Sequence, residues 1–188
     1  MSCVLTKGRN EISCRSNLGG LKAVYFYAFN SLTASIKTEV KEGLINALPV
    51  TLYKYEVRNG SFSETISNDE NGVSYNQSLT FTLFKQDLTT SIQLNNLSKI
   101  DLGYVVEYND KSLKIGGALN SARLNSYTIE SGGSKGDLCG YNLTFESLEE
   151  YSAPFLKTID NSIINGIDYL FEDSNSFIFQ DSNNYIFN

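Results

Sequence analysis

Alternating apolar and polar positions over the first 160 residues predict a chain built mainly of β-strands. The segment 21–29, Leu-Lys-Ala-Val-Tyr-Phe-Tyr-Ala-Phe, is rich in aromatic and β-branched residues and follows the pair Gly19-Gly20, which is typical of a strand packed in a core. In the segment 73–84 the alternation has a period of two, which predicts a strand with one buried face. Its two rows are Leu79, Phe81 and Leu83 against Thr80, Thr82 and Phe84.

Three hairpins follow from strand-like segments that flank turn residues. The first spans 53–84 and turns at Asn68-Asp-Glu-Asn-Gly72, and the second joins 102–108 to 112–116 through Asn109-Asp110. The third joins 127–130 to 141–146 through the glycine-rich loop 131–137, which lacks the spacing of a phosphate-binding loop. Residues 44–57 are also strand-like, with Pro49 either breaking the strand or placing it on an edge.

One helix is predicted after the first hairpin. Asp87 is a suitable N-cap, and Leu88, Ile92 and Leu97 recur at roughly helical spacing through about residue 99. The order of elements therefore predicts a mainly β fold, in which two packed antiparallel sheets form a β-sandwich or half-barrel with one flanking α-helix.

The composition excludes several classes of function. A net charge of −6 disfavours a protein that grips nucleic acid. The chain has no histidine, which removes Ser-His-Asp and Cys-His nucleophiles, histidine-bound metals and the usual general base near neutral pH. We therefore expect a protein that is not an enzyme and uses neither a cofactor nor a metal.

Two residue sets keep alternatives to that expectation open. Paired carboxylates can hydrolyse glycosides across a cleft, but Asp69-Glu70, Glu149-Glu150 and the pair Asp173 and Asp181 are expected to be solvated turn residues. The three cysteines, an odd number without a fourth Cys or His ligand, are expected to be free buried thiols; they are Cys3, Cys14 and Cys139.

Neither a secretory signal nor a membrane span is predicted. The first residues, MSCVLTKGRN, contain no apolar core of a signal peptide. No segment approaches the roughly 20 apolar residues that cross a bilayer. We therefore expect no membrane partner.

The last 20 residues, YLFEDSNSFIFQDSNNYIFN, repeat a pattern of eight residues. Apolar arms alternate with Asp-Ser-Asn corners, which predicts a short β-meander or solenoid-like ribbon. Because an isolated ribbon is marginal in water and its edges invite pairing, we expect this tail to dock on its own domain or, preferentially, on a neighbouring subunit. The candidate subunit-interface residues are Tyr169, Phe171, Phe177, Phe179, Tyr185 and Phe187.

Three segments together resemble structural proteins of tailed bacteriophages that infect Bacteroidetes-type hosts. Cys14-Arg-Ser-Asn-Leu-Gly-Gly-Leu-Lys-Ala-Val-Tyr-Phe26 is similar to the opening of those proteins, and 136–146 with Ala153-Pro-Phe-Leu156 is similar to their close. The eight-residue repeat resembles the ladders that end many of their virion proteins. The resemblance implies a tail-tube-like β domain over residues 1–160, with an N-terminal arm at 1–18 and a C-terminal extension for assembly at 161–188.

The function implied by the resemblance is structural. Such proteins form stacked rings of a tail tube, or a neck or tail ring, around the channel through which DNA is ejected. The implied partners are copies of the same chain, as a hexamer or dodecamer, and other tail or neck proteins; DNA passes through the lumen without specific binding. The implied location is the virion tail, assembled in the host cytoplasm. A β-sandwich binding module, such as a fibre, decoration or glycan-binding virion protein, is the alternative.

Overall fold

A computed structural model describes residues 19–70 and 72–160, together with the short segments 164–165, 172–173 and 176–177. It is a mainly β structure with two packed sheets, so the predicted fold class is confirmed. The elements in chain order are β1 (Leu21–Ala28), a 3-10 turn (Phe29–Ser31), α1 (Ala34–Glu42), β2 (Leu44–Ile45), β3 (Leu52–Glu56), β4 (Asn59–Asp69), β5 (Gly72–Phe84), α2 (Leu88–Leu97), β6 (Leu102–Tyr108), β7 (Leu113–Gly116), β8 (Arg123–Glu130), β9 (Gly140–Glu149), β10 (Phe155–Leu156), β11 (Ile164–Asn165), β12 (Glu172–Asp173) and β13 (Ser176–Phe177).

Two sheets form the body of the protein. Sheet A has seven strands in the order β11-β3-β1-β6-β7-β10-β2, and sheet B has four strands in the order β4-β5-β9-β8. All neighbours in sheet B are antiparallel, whereas sheet A also contains two parallel pairs, β10 with β2 and β11 with β3. The long hairpin predicted at 53–84 is shorter, because β3 pairs with β1 in sheet A and the hairpin itself consists of β4 and β5.

Aromatic side chains fill the core between the two sheets. Phe26 of sheet A lies against Phe145 of sheet B with 4.8 Å between ring centroids, and Phe145 stacks on Phe81 at 6.0 Å. The alternation predicted for 73–84 is confirmed, since Leu79 and Phe81 are buried and point into this core. Burial of several aromatic rings together with aliphatic side chains such as Leu79 and Leu143 stabilises the packing of the two sheets.

The opposite face of sheet A packs against a second core. Tyr25 and Tyr27 of β1 point into it, and Ile36 and Val40 of α1 cover them. Sheet A therefore has both faces buried, which explains the nearly continuous apolar run in β1.

Cross-strand glycines accommodate two of the tyrosine rings in sheet A. Gly103 pairs with Tyr27 and Gly116 pairs with Tyr104. A Cβ added to either glycine would overlap the phenol ring of its partner. Each tyrosine thus lies over the backbone of the next strand, and a larger residue cannot replace either glycine without displacing a buried ring.

The helix predicted after the first hairpin is present as α2. The Asp87 carboxylate accepts a hydrogen bond from the Thr90 backbone N–H at 2.8 Å, so the predicted N-cap is confirmed. The helix faces the core with Leu94 and Leu97, whereas Leu88 and Ile92 are exposed.

The described residues contain one helix more than the sequence predicted. In α1 the buried Ile36 and Val40 lie one turn apart, and Gly43 ends the helix in the left-handed region with a φ of 81°. Neither helix is long and apolar enough to cross a membrane within the described part of the chain.

Candidate assembly surface

One face of sheet B is turned away from the core and is made mainly of small uncharged polar residues. Their side chains alternate along each strand with the buried row, and all are exposed or half-buried. We call this surface the hydroxyl face. Its members are Asn59, Ser61, Ser63, Thr65 and Ser67 of β4, Ser74, Asn76, Ser78, Thr80 and Thr82 of β5, Asn142 and Thr144 of β9, and Ser126 and Thr128 of β8.

Hydrogen bonds between neighbouring strands tie the hydroxyl face together. Thr82 Oγ1 donates to Asn142 Oδ1 at 2.8 Å, and Asn142 Nδ2 donates to Glu130 Oε1 at 2.8 Å. Thr80 and Thr144 place their hydroxyl oxygens 3.4 Å apart. These cross-strand pairs fix the side chains relative to one another, so the face presents a defined array of hydroxyl and amide groups.

The remaining residues on this side of sheet B are charged or apolar. They are the charged residues Arg123, Glu130 and Glu146 of β8 and β9, the apolar Leu148 of β9, which is 59% exposed opposite Asn76, and the apolar Phe84 of β5, which is 55% exposed. Arg123 pairs with Asp101 at 2.7 Å, which neutralises the single cation among them. A surface of this kind offers a passing polyanion no cluster of cations and hence little gain from counterion release.

The two outer strands of sheet B, β4 and β8, pair with no further strand among the described residues. β4 is 11 residues long and contains neither lysine nor proline, two of the common devices that block further strand pairing. Apolar side chains on the inner side of these edges remain exposed: Ile66 on β4 is 65% exposed, and Ile129 on β8 is 54% exposed. Both edges therefore present backbone hydrogen-bonding groups beside apolar surface that another chain could cover.

The direction of the strands makes the two edges complementary. Because four antiparallel strands alternate in direction, β4 and β8 run in opposite directions. The β8 edge of one copy can therefore pair antiparallel with the β4 edge of the next, with both hydroxyl faces on the same side. A contact between two different edges of the same chain is heterologous, and its repetition generates a closed ring when the rotation closes.

A buried polar network fixes sheet B to the loops behind it. Glu149 is 3% exposed, and its carboxylate accepts hydrogen bonds from the backbone N–H groups of Leu119 and Asn120. Burial raises the pKa of the Glu149 carboxyl above its usual range. The expectation that Glu149 is a solvated turn residue was therefore wrong, because β9 extends to this residue and the loop at 117–120 covers it.

Glu64 anchors the β4 edge in a similar way. Its carboxylate accepts hydrogen bonds from the Ser152 hydroxyl at 2.6 Å and the Ala153 backbone N–H at 2.7 Å, and from Gln77 Nε2 at 3.2 Å. The carboxylates of Glu64 and Glu149, which point inward from sheet B, are thus bound by backbone and side-chain donors. This arrangement holds the sheet in place behind the hydroxyl face.

The predicted interface residues of the tail are only partly placed by the structure. The backbone of Phe177 lies in β13, which pairs antiparallel with β12, within the segment for which the eight-residue repeat predicted a β-ribbon. Tyr169, Phe171, Phe179, Tyr185 and Phe187 lie outside the described residues, and their assignment to an interface stays a prediction.

The cysteines and carboxylates do not assemble into a metal site in the described part of the chain, where no group of three or more His, Cys, Asp and Glu side chains is suitably arranged. Cys139 is free, but it is exposed, so the expectation of a buried thiol was wrong for this residue. It follows the glycine-rich loop, where Asp137 accepts backbone hydrogen bonds from Gly133 and Ser134. Cys3 and Cys14 lie outside the described residues.

Comparisons of the chain with family models, with curated proteins and with solved structures found no match.

The sequence did not indicate the hydroxyl face as a candidate surface. The alternation in β5 pointed to one polar row, but the full face combines rows from four strands. Only the register between β4, β5, β9 and β8 shows that these rows are neighbours. A signal was available in the residue types, since Ser, Thr and Asn fill nearly every outward position of the long hairpin.

Proposed function

We propose that this protein is a structural subunit of a tailed-phage virion, which assembles through the edges of sheet B into rings around a DNA channel. The observation that carries the proposal is the combination of a largely uncharged hydroxyl face with two outer strands of opposite direction that pair with no further strand in the described part of the chain. Joining these edges places the hydroxyl faces of all copies on one side of a continuous sheet. That side faces the channel.

The dimensions of such a ring are compatible with DNA passage. In a hexamer the joined sheet would contain 24 strands, because each of the six subunits contributes the four strands of sheet B. At about 4.8 Å per strand its backbone diameter is roughly 37 Å with untilted strands and about 48 Å at a tilt near 40°. Because Ser, Thr and Asn have short side chains, most of this width stays open.

The chemistry of the hydroxyl face suits a lumen that DNA must leave without sticking. Rows of lysine or arginine would bind phosphate and release counterions at each ring. Here the outward rows of β4 and β5 are uncharged over most of their length, and the chain carries a net charge of −6. Passage of DNA is then opposed neither by specific binding nor by non-specific attraction.

The tail is proposed to fasten neighbouring subunits. The eight-residue repeat supplies apolar arms whose core is expected in a partner. This part of the proposal concerns the residues of the C-terminal extension and adds to the contact between the β4 and β8 edges.

A pair of matched lysine substitutions tests ring formation. Ile66→Lys places a charge on the exposed inner side of the β4 edge, and Ile129→Lys does so on the β8 edge, which should block edge pairing. Ile100→Lys, at a similarly exposed isoleucine outside sheet B, is the control. We expect rings with a central hole in negative-stain micrographs of the unaltered protein and of the control, but monomers by light scattering for both edge variants.

Two results would contradict the ring proposal. Rings that persist in both edge variants would exclude the β4–β8 contact. Monomers at every concentration of the unaltered protein, combined with binding on a glycan array, would favour a glycan-binding β-sandwich module instead. The hydrogen-bonding groups of the hydroxyl face make that second outcome chemically reasonable.

A further inference from the structure

A groove lies at the corner where the two sheets diverge. It is formed by the start of β1, the end of β3 and the end of β5, and it has a volume of about 430 Å³. We call it the corner groove. Its lining residues are Lys22, Glu56, Val57, Arg58, Leu83 and Phe84.

The corner groove combines an apolar wall with an available cation. Val57 is buried at 5% exposure, whereas Phe84 is 55% exposed. The ion pairs among the described residues are Lys22–Glu107, Lys54–Glu56 and Arg123–Asp101, so Arg58 has no carboxylate partner there. Such a groove suits an extended peptide that carries large apolar side chains and a carboxylate.

Strand β11 runs in the direction of this groove. It pairs with β3 in parallel, with Ile164 opposite Leu52 and Asn165 opposite Tyr53. A chain that continued in the same direction would run along β3 toward Glu56, about 10 Å further on at roughly 3.3 Å per residue. The six residues 166–171 can span up to about 20 Å when extended, so they are long enough to reach the corner groove.

The composition of this segment complements the groove. Residues 168–171 read Asp-Tyr-Leu-Phe, which supplies one carboxylate and three large apolar side chains. The extension 161–188 contains four acidic residues and neither lysine nor arginine, so it carries four of the six net negative charges of the chain. Attraction to Arg58 therefore adds to burial of the apolar side chains, whereas Lys22 is already paired with Glu107.

We infer that the corner groove binds residues 168–171 of the same chain and clasps the start of the C-terminal extension to the domain. The clasp fixes where the tail leaves the body, and it does not depend on ring formation. Tyr169 and Phe171 are then anchored within their own subunit. The residues left to contact a neighbour are Phe177, Phe179, Tyr185 and Phe187.

A single tryptophan reports on the clasp, because the chain contains none of its own. In Phe171→Trp, measured at a dilution where light scattering gives monomers, we expect blue-shifted emission and weak quenching by acrylamide. Adding Arg58→Ser and Phe84→Ser should shift the emission to the red and increase quenching several-fold. Adding Lys135→Ser and Ile100→Ser, a cation and an apolar residue exposed outside the corner groove, should leave both signals unchanged.

A charge exchange distinguishes loss of the clasp from unfolding of the domain. Arg58→Glu in the Phe171→Trp background should increase quenching, and a further Asp168→Arg should restore protection, while circular dichroism stays constant throughout. Strong quenching of the introduced tryptophan in the parent variant, insensitivity to the groove substitutions, or protection that appears only at high concentration would each overturn the clasp. Rings are scored separately by microscopy, so the clasp and the ring proposal can fail independently.

Discussion

Within the described residues, sheet A is covered on both faces, whereas sheet B is covered on one face and its two outer strands pair with no further strand. In β1 nearly every residue is buried, because sheet B packs on one side and α1 on the other. In β5 buried and exposed residues alternate over much of the strand. Sheet A thus acts as the scaffold. Sheet B carries six of the twelve large apolar side chains that are exposed in the described part of the chain, and we propose that assembly occurs there.

The largest expected effect separates the two faces of β9. Phe145→Ala removes a ring that contacts both Phe26 and Phe81, and we expect the free energy of unfolding to fall by about 3–5 kcal/mol. Thr144→Ala, on the hydroxyl face next to it, should cost less than about 1 kcal/mol. Urea unfolding followed by circular dichroism measures both; equal costs would mean that the hydroxyl face is covered in the monomer.

An intermediate effect is expected from the glycines under the tyrosine rings. Gly103→Ala forces the buried ring of Tyr27 to move, so unfolding should become easier by about 1–3 kcal/mol. A Cβ at Gly136 would lie in open space. The free energy of unfolding of Gly136→Ala should therefore differ from that of the unaltered protein by less than about 1 kcal/mol, and it can be higher. Urea unfolding measures both variants. An unchanged free energy of unfolding in Gly103→Ala would show that the Tyr27 ring has room to move within sheet A.

The smallest effect is a dependence on pH. Burial raises the pKa of Glu149 in the folded state, so the stability associated with this group is present in full below the ordinary carboxyl pKa of about 4.3 and is lost as pH rises through the raised pKa. The stability of the unaltered protein relative to Glu149→Gln should therefore increase when pH is lowered from about 7 to about 4. Urea unfolding at both pH values measures the difference.

Asp87 provides a control of opposite sign. Hydrogen bonds from Thr90 hold the pKa of its carboxyl below the usual range, so its contribution is present above the ordinary pKa and is lost as pH falls through the lowered value. The stability of the unaltered protein relative to Asp87→Asn should thus decrease at lower pH, when pH falls from about 5 to about 2 through the ordinary aspartate pKa of about 3.9 and the lowered folded value. Parallel trends in the two variants would contradict the assignment for Glu149.

Local patterns predicted the elements that depend on near neighbours. The turn at 109–110, the loop at 131–137 and the Asp87 cap are each set by a few adjacent residues, and the structure confirms them. Helix α1 was not predicted, although Ile36, Val40 and Gly43 carry a helical signal. Its nine residues include β-branched side chains that fit a strand equally well.

Contacts between distant segments could not be predicted from local patterns. Residues 52–56 and 59–69 are adjacent in sequence but belong to different sheets, and nothing in their residue types separates them. The burial of Glu149 depends on the loop at 117–120, which lies about 30 positions away. The hydroxyl face likewise depends on the register between strands. The sequence pattern therefore predicted an interface in the tail and did not predict one on sheet B.

The four-strand width of sheet B has a consequence for any ring built by joining its edges. Subunits can then be added only in sets of four strands, and each set lengthens the circumference by about 19 Å at roughly 4.8 Å per strand. The diameter of the ring would therefore change in fixed steps. Each added subunit would increase it by about 6 Å if the strands are not tilted. Fusing two copies into one chain would restrict such rings to even subunit numbers, which would make the bore a quantity that can be engineered.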